Sequence, residues 1–186
     1  MKTREERDHL IRELGARNFR TLEGCAQSTF STIVDYLRDE EGIEIMPPDV
    51  QDQAFKMMVG LSGGVGNCGD GNCGALSGVS FILSYVTGID HEPPEYLSGN
   101  RCRACDRVAG GIGKKYLAEY AGLSCRAVTW AKFGVWYDSW NPEAKSDFAR
   151  DERERGCEGP ATCTIPNAAA WGVEMILDAI TDAKGR

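Results

Sequence analysis

The segment that most constrains the fold of this chain is rich in glycine and holds two cysteines, GNCGDGNCGALSG at residues 66–78. Glycine leaves the backbone the widest choice of conformations, so this segment predicts an irregular loop rather than a helix or a strand. An apolar run follows and predicts a buried helix over residues 74–87. The composition of the loop allows three roles: a cradle for a phosphate group, a backbone that closes around a metal cluster, and a flexible turn.

Helical periodicity dominates the rest of the chain. Apolar residues recur with helical spacing from Ala26 to Leu37, which predicts an amphipathic helix that begins at or just after Cys25. A first, highly charged helix should end near Gly15 or Asn18. Further helices are predicted around residues 54–58, 103–122, 127–140 and 169–180.

The charged segment at residues 145–156 is expected to form a surface loop or an exposed helix. The sequence contains no convincing strand alternation, repeat or linker. Residues 1–186 are therefore predicted to form a single compact all-α domain with one loop rich in glycine and cysteine.

Composition narrows the class of protein and its partners. The 186 residues have a hydrophobic fraction of 42% and a net charge of −7, which suits a globular domain and argues against a nucleic-acid-binding surface. The N-terminal stretch MKTREERDHLIRELGARNFR lacks the apolar core of a secretory signal, and the longest apolar run is too short to cross a bilayer. The sequence therefore predicts a cytoplasmic protein with neither a nucleic-acid nor a membrane partner.

Eight cysteines are a high number for a chain with this predicted location. Cytoplasmic thiols are normally kept reduced, so we expect metal ligands or redox centres, whereas export by an unrecognised route would favour four disulfides. Cys25, Cys73 and Cys163 lie at or near predicted helix starts, where backbone N–H groups and the helix dipole lower the pKa of a thiol. Gly71 and Gly74 would let backbone amides approach the sulfur of Cys73, so both are predicted to help bind a cofactor.

The loop also matches the phosphate-binding pattern G-x-G-x-x-G, once at residues 64–69 and again at residues 69–74. This pattern binds phosphate when a strand leads into the turn and a helix leaves it. The preceding QDQAFKMMVGL does not have the composition of a buried strand, and no βαβ unit surrounds the loop. The match is therefore weak, and we expect no nucleotide binding.

Four segments of the chain carry a resemblance to a known family: GCAQSTFSTIVDYL, GLSGGVGNCGDGNCGALSG, AEYAGLSCRAV and CTIPNAAAWGVEMI. In this order they resemble the successive blocks of the C_GCAxxG_C_C family, redox-active proteins mostly of anaerobic bacteria and archaea that are related to the split-Soret cytochromes. The blocks run from about residue 24 to residue 177 and cover most of the chain. The resemblance implies four shared redox or metal-binding residues, Cys25, Cys73, Cys125 and Cys163.

Two departures limit what the resemblance implies. The central motif here is Cys-Gly-Ala-Leu-Ser-Gly, so its residue order differs slightly from the pattern in the family's name. The split-Soret relatives attach haem through C-x-x-C-H, whereas the pair Cys102 and Cys105 is followed by Asp106, and His9 and His91 are the only histidines. Covalent haem is therefore not expected.

The other four cysteines, Cys68, Cys102, Cys105 and Cys157, form a candidate second set of metal ligands. The C-x-x-C pair at residues 102–105 is compatible with half of a zinc knuckle, with a redox dithiol or with two cluster ligands. The spacing from Cys68 to Cys73 matches one interval of a plant-type iron–sulfur motif, which is a weak signal by itself. Eight thiols could hold two clusters, or one cluster beside a spare pair.

These features support more than one class of function. The first is an iron–sulfur protein that passes electrons to a redox partner protein, and the second is an oxidoreductase whose cluster or dithiol reduces a small molecule. A zinc-stabilised structural protein is a third. The stretch KFGVWYDSW could line a substrate pocket, although the spacing of Phe133, Trp136, Tyr137 and Trp140 favours core packing on a helix. A homodimer is left open, because clusters in small helical proteins often lie near subunit contacts.

Overall fold

The computed structural model describes residues 2–22, 24–87, 100–154 and 163–184, and the regular elements in these ranges are all helical. In chain order the α-helices are α1 (Arg4–Leu22), α2 (Cys25–Glu41), α3 (Pro48–Met57), α4 (Gly74–Thr87), α5 (Asn100–Arg107), α6 (Lys114–Tyr120), α7 (Cys125–Phe133), α8 (Pro142–Glu154) and α9 (Thr164–Lys184). A 3-10 turn at Val59–Leu61 follows α3, and a π-helix at Val108–Gly113 joins α5 to α6. The predicted all-α class is confirmed.

The core lies where α2, α4 and α9 pack against one another, with α1 packed against both α2 and α9. Helix α4 is apolar on most of its surface, so it is stable only when neighbouring helices cover it on several sides. Helices α2 and α9 each pack an apolar face against α4. Fully buried side chains of this core include Phe30, Ile33, Leu37, Val79, Ile82, Leu83 and Ile176. The packing fixes the N-terminal ends of these three helices relative to one another.

Helix α1 is longer than the sequence predicted. It continues past Gly15 and Asn18 to Leu22. A Cβ at position 15 would stand 3.0 Å from the Cα of Pro166, so this glycine permits close packing of α1 on α9 and does not end the helix.

Helix α7 is shorter than predicted. It ends at Phe133 instead of continuing to residue 140, because Gly134 adopts a left-handed conformation with φ of 69° and donates its N–H to the Trp130 carbonyl. An irregular segment then leads to α8, which begins at Pro142.

The other helical predictions agree with the structure. The charged segment near residues 145–156 belongs to α8, so the exposed-helix alternative is the correct one for the described residues. The glycine-weakened helix at residues 103–122 is the succession of α5, π-helix and α6, with its glycines in the π-helix. Within the described ranges, every helix is too short or too polar to cross a membrane.

Candidate metal centre

Four cysteines from separate parts of the chain stand at helix N-termini. Cys25 and Cys125 are the first residues of α2 and α7, and Cys73 and Cys163 directly precede α4 and α9. The structure thus adds Cys125 to the three that the sequence placed at helix starts. All four residues line one cavity of about 460 Å³. A helix N-terminus carries unpaired N–H groups and the positive end of the helix dipole. The part of the cavity next to the four cysteines therefore favours negative charge.

The thiol of Cys73 caps helix α4. Its sulfur accepts a hydrogen bond from the backbone N–H of Leu76, which is the bond that an N-cap side chain makes. The hydroxyl of Tyr116 donates to the same sulfur at 3.7 Å. Only 5% of Cys73 is exposed. These contacts hold the sulfur in one orientation at the wall of the cavity.

Burial is the largest cause of a raised pKa in two of the thiols. Burial and the nearby sulfurs of Cys25 and Cys125 raise the pKa of Cys73 to about 12. Burial and Cys25 likewise raise the pKa of Cys125 to about 11, although Thr129, with its hydroxyl 3.9 Å from the sulfur, acts in the opposite direction. The expectation that a helix start lowers the pKa was therefore wrong for Cys73, because desolvation outweighs the dipole there.

The sulfur of Cys25 lies against the backbone of Gly74. A Cβ at position 74 would stand 2.3 Å from Cys25 Sγ and 3.0 Å from the backbone nitrogen of Ala26. Only glycine therefore lets the N-termini of α2 and α4 approach this closely. The glycine-rich loop supports the same end of α2, because Ser62 Oγ accepts a hydrogen bond of 3.3 Å from the Ala26 N–H.

The loop also positions Cys125. The backbone N–H groups of Cys125 and Arg126 donate to the carbonyls of Gly71 and Gly69 at 2.9 and 2.8 Å, so the loop caps the start of α7. The N–H groups of Gly69 and Gly71 donate to other carbonyls of the loop, at 2.9 and 3.1 Å. These amides are already used, and a 3-10 turn rather than a strand precedes the loop. The loop thus lacks the surroundings of a phosphate-binding turn, and cofactor contact by Gly71 and Gly74 stays a prediction.

Among the cysteines of the second set, those whose side chains the structure describes do not line this cavity. Cys68 and Cys105 are exposed and do not line the cavity. Cys102 belongs to α5, but its side chain and the whole of Cys157 lie outside the described residues. A second metal site therefore stays a prediction.

The four cavity thiols are the described side chains here that could hold a metal group, and sulfur donors suit both zinc and iron. Within the described part of the chain, no group of three or more His, Cys, Asp or Glu side chains is arranged to hold a metal ion. The thiols thus line one cavity without being arranged around a single ion.

The cavity extends from the thiols to a wall of aromatic side chains. Phe133, Trp136 and Tyr137 line it. The prediction that the KFGVWYDSW aromatics lie on one helix was wrong, because α7 ends at Phe133, although Phe133 and Tyr137 are buried in an apolar cluster as core packing requires. Trp140 behaves differently from the other three, since 74% of it is exposed.

Sequence analysis missed two members of this wall, Phe19 of α1 and Phe148 of α8. Each is a lone aromatic residue in a charged stretch, which is the one signal that could have identified them. Phe133, Tyr137 and Phe148 form a small apolar cluster against which Phe19 packs, separate from the main core.

Comparison with known proteins gives one family match. The model of the family described as "Putative redox-active protein (C_GCAxxG_C_C)" matches residues 24–171. That range includes all four cysteines of the cavity. No curated protein and no solved structure matches the chain.

Proposed function

The chain belongs to the C_GCAxxG_C_C family of redox-active proteins, and we propose that it binds an iron–sulfur cluster and acts in electron transfer. Its cluster ligands are Cys25, Cys73, Cys125 and Cys163. The observation that supports this most directly is that these four thiols, each at a helix N-terminus, line one cavity. Helix N-termini stabilise the negative charge that thiolate ligands give to a cluster.

The residues around the cavity would tune such a centre. A bound cluster would supply a one-electron redox group. The Leu76 N–H and the Tyr116 hydroxyl already donate to Cys73 Sγ, and donors to a ligating sulfur favour the reduced, more negative state. Cys73 and Cys163 are buried, so the protein limits the access of water to these two ligands.

Two other functions have less support. A thiol that exchanges with disulfides needs a thiolate near neutral pH, whereas burial raises the pKa of both Cys73 and Cys125. A bound metal would still deprotonate these thiols, because a coordinating thiol loses its proton outright. A zinc-stabilised structural protein would use the same thiolate donors, but zinc has no redox chemistry, whereas the family is described as redox-active.

The proposal is tested by metal analysis of protein purified without oxygen. We expect a brown protein that contains iron and acid-labile sulfide in comparable amounts and shows broad visible absorbance from thiolate-to-iron charge transfer. Quantified iron and an EPR spectrum of the reduced protein would identify the type of cluster. A colourless protein that holds only zinc, or no metal, after reconstitution would contradict the proposal.

Replacing single cysteines tests the ligand assignment. Each cavity cysteine is replaced singly, and each variant should lose iron and thermal stability together, because the binding free energy of a metal group contributes to folding. The four cavity variants are Cys25→Ser, Cys73→Ser, Cys125→Ser and Cys163→Ser. Cys68→Ser and Cys105→Ser are the matched controls, since both residues are exposed and neither lines the cavity. Full iron content in all four cavity variants would refute the assignment. Equal iron losses in the control variants would reveal a second cluster.

A further inference from the structure

Members of two apolar clusters line the cavity beside the cysteines. Val128 and Ile165 belong to the main core. Phe133 and Phe148 belong to the small aromatic cluster, and Phe19 packs against both clusters. We call the part of the cavity next to Phe19, Phe133 and Phe148 the aromatic end. Its walls are hydrocarbon on both sides, whereas the sulfur ligands of the proposed cluster define the other end.

The aromatic end lies some distance from the sulfurs. Phe133 follows Cys125 by eight residues on α7. With a rise of about 1.5 Å per residue, the two residues lie about 12 Å apart along that helix. The proposed cluster therefore leaves the aromatic end of the cavity unexplained.

The polar groups near the aromatic end already have partners inside the protein. The hydroxyl of Tyr137 donates a buried hydrogen bond to the carboxylate of Asp151. Arg20, Lys132 and Glu152 line the cavity, and each of them interacts with another residue. A charged ligand would have to displace one of these interactions or bury its charge without a partner, which is costly. The cavity therefore suits an uncharged ligand.

The aromatic rings are held in place, but their packing is incomplete. Phe148 lies 6.0 Å from Phe133 and 5.3 Å from Tyr137, measured between ring centroids. Phe19 and Phe148 nevertheless stay only partly buried. The whole cavity has a volume of about 460 Å³, and an apolar cavity of about 150 Å³ already holds benzene. There is thus room for a small molecule whose contacts would complete the packing of these rings.

We infer that the aromatic end of the cavity binds a small uncharged apolar molecule, of about the size of toluene, and holds it beside the cysteine site. The ligand packs against the rings of Phe19, Phe133 and Phe148 and against the core side chains opposite them. Burial of its apolar surface provides the free energy of binding, so no charged group is needed. Binding requires only the cavity and does not depend on the iron–sulfur cluster proposed above.

Calorimetric titration of the iron-containing protein with three probes of similar size tests the inference. Toluene is uncharged, benzoate carries a negative charge and benzylammonium carries a positive charge. We expect saturable binding of toluene, with a Kd at least about tenfold lower than that of either charged probe, because a buried charge without a partner is strongly disfavoured. Binding of either charged probe as tightly as toluene, or no saturable binding of toluene, would overturn the inference.

A variant that fills the cavity locates the site. Ala149 of α8 lines the cavity next to Phe148, so Ala149→Phe should place a phenyl ring in the space that the ligand occupies. We expect this variant to raise the Kd of toluene at least about tenfold and to keep the wild-type iron content. Ala131→Phe is the matched control, because Ala131 is exposed on α7 and does not line the cavity. The control should leave the Kd of toluene unchanged.

A second filling variant covers the case in which the larger side chain prevents folding, which the circular dichroism spectrum would reveal. Ala149→Leu adds a smaller apolar side chain at the same position and should also raise the Kd of toluene. An unchanged Kd in a folded variant at position 149 would contradict the location. An equal rise in Ala131→Phe would contradict it as well.

The outcomes separate this inference from the proposed function. Wild-type protein that contains no iron after reconstitution but binds toluene would remove the cluster and keep the ligand site. Iron-containing protein that shows no saturable toluene binding would remove the ligand site and keep the cluster.

Discussion

At the scale of single residues, Gly74 connects two of the candidate ligands. It is the first residue of α4, it follows Cys73 directly, and its Cα faces the sulfur of Cys25. A side chain there would displace that sulfur or push apart the ends of α2 and α4. Gly74 therefore controls the distance between two thiols without being a ligand.

We expect Gly74→Ala to lower the iron content and to destabilise the protein by about 1–3 kcal/mol, the usual cost of one extra carbon in a packed site. The physical reason is that the new Cβ would stand 2.3 Å from Cys25 Sγ. Gly60→Ala is a matched control, because position 60 has open space around its Cα and no positive φ. Iron analysis and urea unfolding of both variants provide the measurement. Similar results for the two variants would show that the contact with Cys25 does not matter.

At the scale of elements, the sequence predicted the helices that bury one face and failed where a loop replaces a helix. The apolar spacing from Ala26 to Leu37 corresponds to α2, because burial of one face imposes a period on the sequence. The continuous apolar run at residues 74–87 corresponds to α4, which neighbouring helices cover on several sides. Phe133, Trp136 and Tyr137 also have helical spacing, yet the left-handed Gly134 ends α7 among them. Local spacing cannot distinguish a core stripe from the wall of a cavity.

The cavity itself was only partly predictable. Helix starts at three cysteines follow from local patterns, and the family resemblance implied the fourth, Cys125. The carbonyls of Gly69 and Gly71 cap α7, which lies far from them in the sequence. No local sequence pattern encodes such a tertiary contact. The raised pKa of Cys73 was missed for the same reason, because burial is a property of the packed helices.

The loop and the segment after α7 are coupled through Gly69 and Trp136. We expect Gly69→Ala to shift the tryptophan fluorescence and lower the Tm, because its Cβ would stand 2.1 Å from Trp136 Cζ2 and its φ is +82°. Gly66→Ala is the control that separates backbone strain from displacement of the Trp136 side chain. Gly66 has a φ of +58°, but a Cβ there would meet open space. That control should lose about 1 kcal/mol or somewhat more from strain and keep the wild-type emission. An unchanged emission spectrum in Gly69→Ala would contradict the coupling.

At the scale of the whole molecule, weak acids are buried together beside the junction of helices. Burial raises the pKa of Tyr116 well above its ordinary value of 10.0 and raises the pKa of Tyr120 to about 12. Cys73 and Cys125 add two thiols with raised pKa values, against an ordinary value of 9.0. The packed chain therefore holds several protons at a pH where the unfolded chain would release them.

This arrangement predicts how the stability of the iron-free protein depends on pH. A group whose pKa is higher in the folded state binds more protons when folded, so its stabilising effect is complete below the unfolded value and is lost as pH rises towards the folded value. The free energy of unfolding should therefore stay level up to about pH 8 and fall from about pH 9. Each such group should contribute a loss of up to about 1.4 kcal/mol for every pH unit between its unfolded and folded pKa values. Urea unfolding at a series of pH values measures this slope.

Comparing the pH dependence of stability in the iron-containing and iron-free proteins tests whether Cys73 and Cys125 are metal ligands. Bound to iron, Cys73 and Cys125 are already thiolates in the folded state, so their raised pKa values no longer apply and only the tyrosines remain. We therefore expect the stability of that protein to begin falling about one pH unit higher, near the ordinary pKa of tyrosine. Tyr116→Phe should reduce the alkaline slope in both forms, because it removes one of the buried hydroxyls. If the iron-free and iron-containing proteins lose stability over the same pH range, Cys73 and Cys125 are not the groups that the metal deprotonates.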